Sequence, residues 1–270
     1  SELEQNLLQR NHEHYHQASK SDAGPDGPIG RTVDNSTAQG RMNQQRLLDG
    51  TFDDWDKVNS WFQTAWLKEM SSKTNTIPPA KLLAICAEIS IPEYESYWRK
   101  ARESTESSPS KLHFGHYITS TYSDLIRDTI LALLNVTILT GIVPTRWLKA
   151  HDVLLEKIPG KPLRDKLRII QLLEADANFF LKLVWGRRAM HMVEKHSLLN
   201  PNNAGYRKNR DTHDIVLQKV LTHDILYQDK KSGAWFESDA SAAFDRVTPD
   251  LARLVSRRMG IPNHLCNALC

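Results

Sequence analysis

Cysteine is scarce in this sequence, and long apolar runs are absent. The 270 residues contain three cysteines, Cys86, Cys266 and Cys270, and no Cys-x-x-Cys pair, which excludes a disulfide framework. No unbroken run of 18 apolar residues occurs and the mean hydropathy is −0.49, so an ordinary membrane-spanning protein is excluded. The hydrophobic content of 40% is close to the globular average, so the chain can bury a core, and its length predicts about two domains.

The two ends lack the features of a complete polypeptide. The sequence begins without methionine, and residues 1–16 lack the apolar core of a signal peptide. At the other end, a new apolar segment begins at Ile261 and is still running at Cys270. We therefore expect these residues to be a piece of a longer polypeptide.

Positive charge is concentrated in one block. Residues 142–210 hold fourteen Lys and Arg against six Asp and Glu, a surplus of eight. Because the whole chain carries +3, the remaining residues must carry a net −5. Lysine and arginine gain free energy by displacing counterions from phosphates, so the block indicates a polyanionic partner. A solvated surface that happens to be basic would give the same composition.

The first hundred residues fall into two parts. Residues 1–45 contain Gly, Pro, Ser and Asn clusters and few large apolar side chains, which predicts a flexible or linker segment. From residue 46 to 107 apolar residues recur at helical spacing, as at Trp55, Val58 and Phe62. This pattern predicts a helical N-terminal extension, with the rest of the chain, residues 108–270, forming a second domain.

The basic block contains two short runs of strand-forming residues. Residues 152–158 and 167–173 are rich in Val, Leu and Ile, and a Pro-Gly-Lys-Pro turn lies between them at 159–162. This arrangement predicts an antiparallel pair of strands. A helical pattern follows over residues 174–195, then a loop, then a further helix over about 212–229.

An acidic residue closes the next apolar run. Residues 233–239 read as a strand that ends at Asp239, and Ala240 is the first of several small residues before Phe244 and Asp245. A lone buried carboxylate costs several kcal/mol unless a cation compensates it. Asp239 is therefore a candidate metal ligand, although a polar strand end would look the same.

Several blocks occur in an order that resembles the fingers and early palm of a reverse transcriptase, most closely those of non-LTR retrotransposons. GIVPTRW at 141–147, followed by VLLEK at 153–157, resembles the opening G-x-x-P-x-x-W and I-P-K blocks. LRIIQLL at 167–173 resembles R-P-I-S-L, NAGYRKNRDT at 203–212 resembles Q-x-G-F-x-x-x-R-s-T, and DASAAFD at 239–245 matches D-x-x-x-A-F-D. The resemblance covers roughly residues 109–260.

The resemblance implies a fold and a reaction. The fold would be α+β and helix-rich, a partial right-hand polymerase (fingers and start of palm) with a helical N-terminal extension. The parent would be an RNA-directed DNA polymerase, a nucleotidyltransferase that transfers dNTPs to a primer 3′-hydroxyl on an RNA template. Two Mg²⁺ ions would be held by oxygen ligands, among them the Asp239 carboxylate and the Ala240 carbonyl. Such an element would act at chromosomal DNA, with no membrane partner.

The resemblance also assigns roles to individual side chains. Lys157 and Arg168 would contact the dNTP triphosphate, Arg as a bidentate donor and Lys as a point charge. Phe244 would stand against the sugar and exclude a ribose 2′-hydroxyl. Cations of the loop would contact the template or primer backbone, namely Arg207, Lys208 and Arg210.

Some positions depart from the family pattern. Ile169 stands where proline is usual, and Asn203 stands where glutamine is usual. The later palm block, an aromatic followed by paired aspartates, does not occur in the 25 residues after Asp245. We therefore expect these 270 residues alone not to extend a primer.

Two other interpretations remain open at this stage. The chain could be a non-enzymatic nucleic-acid-binding remnant of a retroelement, in which case its binding would depend on salt but not on Mg²⁺ or triphosphates. It could also be a helical interaction protein with an accidental match, which would lack a two-stranded element beside Asp239.

Overall fold

The structure is a computed structural model that describes residues 26–58, 61–72, 77–104, 110–160, 167–205, 207–234 and 248–269, with Gln5 and Gln9 as single helical residues. In these segments the chain is mainly helical and contains one two-stranded sheet. The prediction of a helix-rich α+β protein is confirmed at that level. In the same segments, no helix combines the length and apolarity needed to cross a bilayer.

The helices and strands follow one another with short connections. Two 3₁₀ turns, Trp55–Lys57 and Thr145–Leu148, interrupt the series. In chain order, the elements are α1 (Pro28–Val33), α2 (Ala38–Leu48), α3 (Trp61–Ser72), α4 (Pro79–Cys86), α5 (Ile91–Trp98), α6 (Phe114–Ser120), α7 (Asp124–Thr140), β1 (His151–Glu156), β2 (Leu167–Leu172), α8 (residues 175–195), α9 (Thr212–Gln228), α10 (Pro249–Arg258) and α11 (Asn263–Leu269).

Helix α8 changes its winding along its length. It begins as an α-helix over Ala175–Phe180, continues as a π-helix over Leu181–Ala189 and returns to an α-helix over Met190–Lys195. The sequence pattern predicts a helix over 174–195, which is confirmed, but 3.6-residue periodicity carries no signal for the wider π turns.

Local side-chain chemistry sets several helix ends. Ser90 and Glu93 form a reciprocal capping box at the start of α5. The Thr248 hydroxyl accepts a hydrogen bond from the Leu251 N–H at the start of α10. Gly141 ends α7 in the left-handed region, at φ 73°, which a residue without Cβ adopts at little cost.

The larger of two hydrophobic cores is aromatic. Trp98 is fully buried and stacks on Tyr117, with ring centroids 4.7 Å apart. Tyr94, Phe114 and Phe179 surround this pair in tilted or edge-on contacts. This core joins α4 to α8 and α11, and it forms the body from which the two strands project.

The smaller core uses residues that composition predicts to be flexible. Val33 of α1 and Leu47 of α2 are fully buried, and both pack with Leu254 of α10. The prediction of a flexible or linker segment over residues 1–45 is therefore wrong for residues 28–45. The prediction was based on the low apolar content of this segment. The few apolar residues that it contains are nevertheless buried, because α10 covers them.

Helix α10 joins the N-terminal residues to the rest of the molecule. The Arg258 guanidinium donates to the Leu48 carbonyl at 2.8 Å and to the Ser71 carbonyl at 2.9 Å. The Asn35 N–H donates to the Asp250 carboxylate at 3.1 Å. These contacts cross both predicted boundaries, at 45 and at 107, so the two cores do not follow the predicted domain division.

We predict that Gly141→Ala lowers the free energy of unfolding by about 3 kcal/mol. An added Cβ would overlap the His264 carbonyl oxygen of α11, which adds an overpacking cost of about 1–3 kcal/mol to the left-handed cost of about 1–2 kcal/mol. Urea unfolding measures the change. Gly50→Ala is the control, because Gly50 has φ 72° with nothing within 4 Å and should lose only the smaller, conformational term. Equal losses would refute the predicted contact.

We also predict that stability falls as pH rises above 10. Burial raises the pKa of Tyr94 to about 12 and raises the pKa of Tyr117 as well. The unfolded chain has a tyrosine pKa of about 10, so the stabilisation is complete below pH 10 and is lost as pH rises through 12. Urea unfolding between pH 8 and 11.5 tests this. Tyr94→Phe should flatten the pH dependence, and an unchanged slope would contradict the assignment.

Candidate nucleotide and nucleic-acid interface

The two predicted strands form an antiparallel ribbon. β1 and β2 pair from His151↔Leu172 at the root to Glu156↔Leu167 at the tip, a length of about 17 Å at roughly 3.4 Å per residue. Leu154, Leu155 and Ile170 remain 40–45% exposed, so the ribbon projects from the body with both faces open. The predicted antiparallel pair is confirmed.

The ribbon tip carries the two predicted triphosphate ligands. Arg168 pairs with Leu155, one step from the tip, and Lys157 directly follows the last residue of β1. Both are exposed, and neither forms an ion pair with any residue that the structure describes. The Glu156 carboxylate accepts a hydrogen bond from the Gly160 N–H at 2.7 Å, which fixes the turn beside Lys157. The structure therefore brings the two cations to the same end of the ribbon.

The ribbon root is held by a buried ion pair. Arg146, in the 3₁₀ turn before β1, donates through both terminal nitrogens to the Asp176 carboxylate, with Nη1···Oδ1 at 2.7 Å. The Trp147 indole N–H donates to the same carboxylate at 3.0 Å. Asp176 is 2% exposed and lies in the first turn of α8, where the helix dipole favours a negative charge. We call Arg146, Trp147, Asp176 and Glu174 the root clamp.

Glu174 completes the root clamp from the end of β2. It is fully buried, and its carboxylate accepts hydrogen bonds from the Ser110 N–H at 3.1 Å and hydroxyl at 2.6 Å. Arg146 lies 3.5 Å from the same carboxylate. Donating hydrogen bonds to the Asp176 carboxylate raises the pKa of Arg146 further above its ordinary value, against the effect of burial. One guanidinium thus compensates two buried carboxylates.

A cavity of about 370 Å³ lies beside the root clamp. Its walls are mainly apolar and come from Ile130 and Leu134 of α7 with Tyr117 and Pro144. The charged groups that reach it, from Arg146 and Asp176, are already paired with each other. The cavity therefore does not offer the free cations that a triphosphate needs.

The predicted nucleic-acid loop is built around Arg207. Its guanidinium donates to the Glu194 carboxylate at 2.7 and 2.6 Å, and to the carbonyls of Asn200 and Asn203 at 3.0 and 2.9 Å. This pairing lowers the pKa of Glu194 and raises that of Arg207. The side chain is only 11% exposed, so we revise the predicted backbone contact: Arg207 positions the loop.

The other two loop cations face solvent. Lys208 and Arg210 are exposed on either side of Asn209, which has a φ of 61°. Asp211 then caps α9 through the N–H of His213. Fixed at both ends, the loop presents Lys208 and Arg210 outward, as a backbone contact would require.

The predicted catalytic and gate residues lie outside the described residues. These are Asp239, Ala240 and Phe244, and their roles remain predictions from the sequence. The one Asp-Asp pair of the chain, Asp53 and Asp54 after Phe52, is bound by Arg46.

Comparison with known proteins gives no assignment. The chain matches no protein-family model, and no match was found among curated proteins. The resemblance to reverse transcriptases therefore rests on the sequence blocks.

Sequence reasoning missed the root clamp. Arg146 stands inside the G-x-x-P-x-x-W block, but Glu174 and Asp176 look like ordinary first-turn acids before a helix. The surplus of positive charge over residues 142–210 suggested unpaired cations, so the pairing of Arg146 with two acids was not expected. The available signal was two acids at the foot of an apolar strand, which need a cation if they are buried.

We predict that Arg146→Met lowers the free energy of unfolding by about 3 kcal/mol, because it leaves buried carboxylates uncompensated. Arg99→Met is the control, since Arg99 pairs with Glu95 one helical turn away while its own side chain is 58% exposed, and it should cost less than about 1 kcal/mol. Chemical denaturation at pH 7 compares the two. A similar, small loss in both variants would show that the root clamp does not stabilise the fold.

Proposed function

We propose that this chain supplies the fingers and early palm of an RNA-directed DNA polymerase, as a non-LTR retrotransposon would encode. The observation that carries the proposal is the projecting ribbon with Lys157 and Arg168 at its tip. The order of sequence blocks supports it, because the ribbon is formed by the two blocks that resemble the fingers of that family.

The ribbon tip has the chemistry to bind a triphosphate. An arginine guanidinium donates two parallel hydrogen bonds to phosphate oxygens, and a lysine adds a compact positive charge. Arg168 and Lys157 have no ion-pair partner in the described part of the chain. Binding a phosphate there would therefore not require breaking an ion pair with a carboxylate of the described residues. The open faces of the ribbon leave room for a nucleotide.

The root clamp explains how such a ribbon would keep its position. Arg146 precedes β1, whereas Glu174 and Asp176 follow β2, so the ion pair closes the ribbon across its base. A projecting two-stranded element is only marginally stable by itself. Fixing both strands at the base therefore directs the tip to one place.

The metal-binding part of the proposal rests on Asp239 and Ala240. A carboxylate and a carbonyl oxygen are hard donors of the kind that Mg²⁺ prefers. When bound, Mg²⁺ would stabilise the negative charge that develops on the transferring phosphate. Phe244 would contact the sugar face and favour a deoxyribonucleotide.

We predict that Arg168→Gln weakens the binding of Mg²⁺-dTTP by about tenfold or more, because a hydrogen bond to a charged group is worth about 1.5–3 kcal/mol. Lys157→Gln should weaken it by a smaller factor. Isothermal titration with the 270-residue chain measures both. Lys149→Gln is the control, since Lys149 is exposed at the root of the same ribbon and should leave the affinity unchanged.

The Mg²⁺ dependence separates a polymerase segment from a non-enzymatic nucleic-acid-binding remnant. If the proposal is correct, Asp239→Asn removes the Mg²⁺ dependence of dTTP binding while the fold is retained. If dTTP binding is absent, or is insensitive to Arg168 and Lys157, the polymerase assignment fails. RNA binding that depends on salt but not on Mg²⁺ would then favour the nucleic-acid-binding remnant.

A further inference from the structure

The π segment of α8 places two cations on one face of the helix. In an α-helix, Lys182 and Arg187 would lie about 140° apart around the axis, at 3.6 residues per turn. In the π-helix Leu181–Ala189 the hydrogen bonds join residues five apart, so these two side chains lie on neighbouring turns. The altered winding thus brings together two charges that an α-helix would separate.

Tyr97 of α5 shows that both cations reach the same surface. The Lys182 ammonium lies over the Tyr97 ring, 5.5 Å from its centroid. The Arg187 charge also acts on the Tyr97 phenol, lowering its pKa in opposition to the effect of burial. The ring is braced by Trp98 and Phe179, at 4.9 and 4.8 Å. The surface therefore has a rigid aromatic base.

The same surface is open. Gly186, which directly precedes Arg187, is exposed, and a Cβ added there would meet nothing within 4 Å. Lys100 is exposed in the turn after α5, with its N–H bonded to the Tyr97 carbonyl. An extended ligand can therefore approach both helices without displacing a side chain.

Neighbouring acids do not cancel this charge. Glu93 of α5 is paired with Arg188, and Glu95 with Arg99 and Arg127. No ion pair links Lys182 or Arg187 to another residue in the part of the chain that is described. Their charges are therefore available to a ligand.

We propose that Lys182, Arg187 and Tyr97 form a binding surface for the phosphate backbone of a single-stranded nucleic acid. Proteins that bind single strands without sequence preference combine cations that follow the backbone with aromatic side chains. An anionic membrane would instead favour exposed apolar residues between the cations, and here the apolar residues between them in sequence are buried (Leu183 and Val184) or half-buried (Trp185). The surface belongs to α5 and α8, so it does not depend on the ribbon tip or on the polymerase assignment.

Fluorescence anisotropy with a labelled 20-nucleotide oligo-U tests the proposal on the whole chain. The double variant Lys182→Gln/Arg187→Gln should flatten the slope of log K against log salt by about 1.4, because each contact to a single strand contributes about 0.7. With that exponent of 1.4, the double variant should bind oligo-U about 25-fold more weakly than the unchanged chain at 0.1 M salt. The control is Arg31→Gln/Lys68→Gln, which removes the same amount of charge from two exposed side chains on the helices of the smaller core. It also removes a comparable cation–π pair, that of Lys68 with Trp55.

A second pair of variants separates loss of binding from loss of folding. Gly186→Glu places a negative charge next to Arg187 without crowding, and it should weaken oligo-U binding severalfold. Ala65→Glu makes the same charge change on the exposed face of α3 and should have little effect. Circular dichroism reports whether each variant folds. The proposal would be overturned if oligo-U binding were weakened equally in the variants and the controls, or not weakened at all. It would also be overturned if the variants lost binding to phosphatidylserine vesicles but kept binding to oligo-U.

Discussion

One arginine between two buried carboxylates determines how the strands are presented. Arg146 precedes the ribbon, while Glu174 and Asp176 follow it, and their contacts bring the two ends of the ribbon together at the surface of the aromatic core. Separately, each buried acid would be costly. Together they join Ser110, Trp147 and the first turn of α8 into one base. The positions of the tip cations, and so the proposed nucleotide contact, depend on this base.

Local patterns predicted the elements well, and long-range pairing accounts for what they missed. Val and Ile runs around a Pro-Gly turn predicted the ribbon, and helical spacing predicted the helix over 174–195, because each signal acts within a few residues. Arg207 was misjudged because its partner Glu194 lies 13 residues away. Burial of Val33 depends on α10, more than 200 residues later, and no local window contains that information.

The cationic surfaces differ in how their charges become available. At the ribbon tip, Arg168 has no ion-pair partner among the described residues, and the strands carry it away from the root clamp. On α8, Arg187 remains available because Glu93 and Glu95 are already paired with other arginines. In the loop, Arg207 is paired with Glu194 and holds the backbone, while Lys208 and Arg210 face outward. A surplus of basic residues thus separates into structural and available ones only when the pairing is known.

The closure of the smaller core by α10 has a consequence for synthesis. Helices α1, α2 and α3 are synthesised before α10, yet Leu251 and Leu254 of α10 cover their apolar side chains. At about 5–20 residues per second, some 200 further residues take roughly 10–40 s to add. Throughout that interval the nascent helices α1 to α3 lack the helix that covers them, so their apolar faces remain open to chaperones until α10 appears.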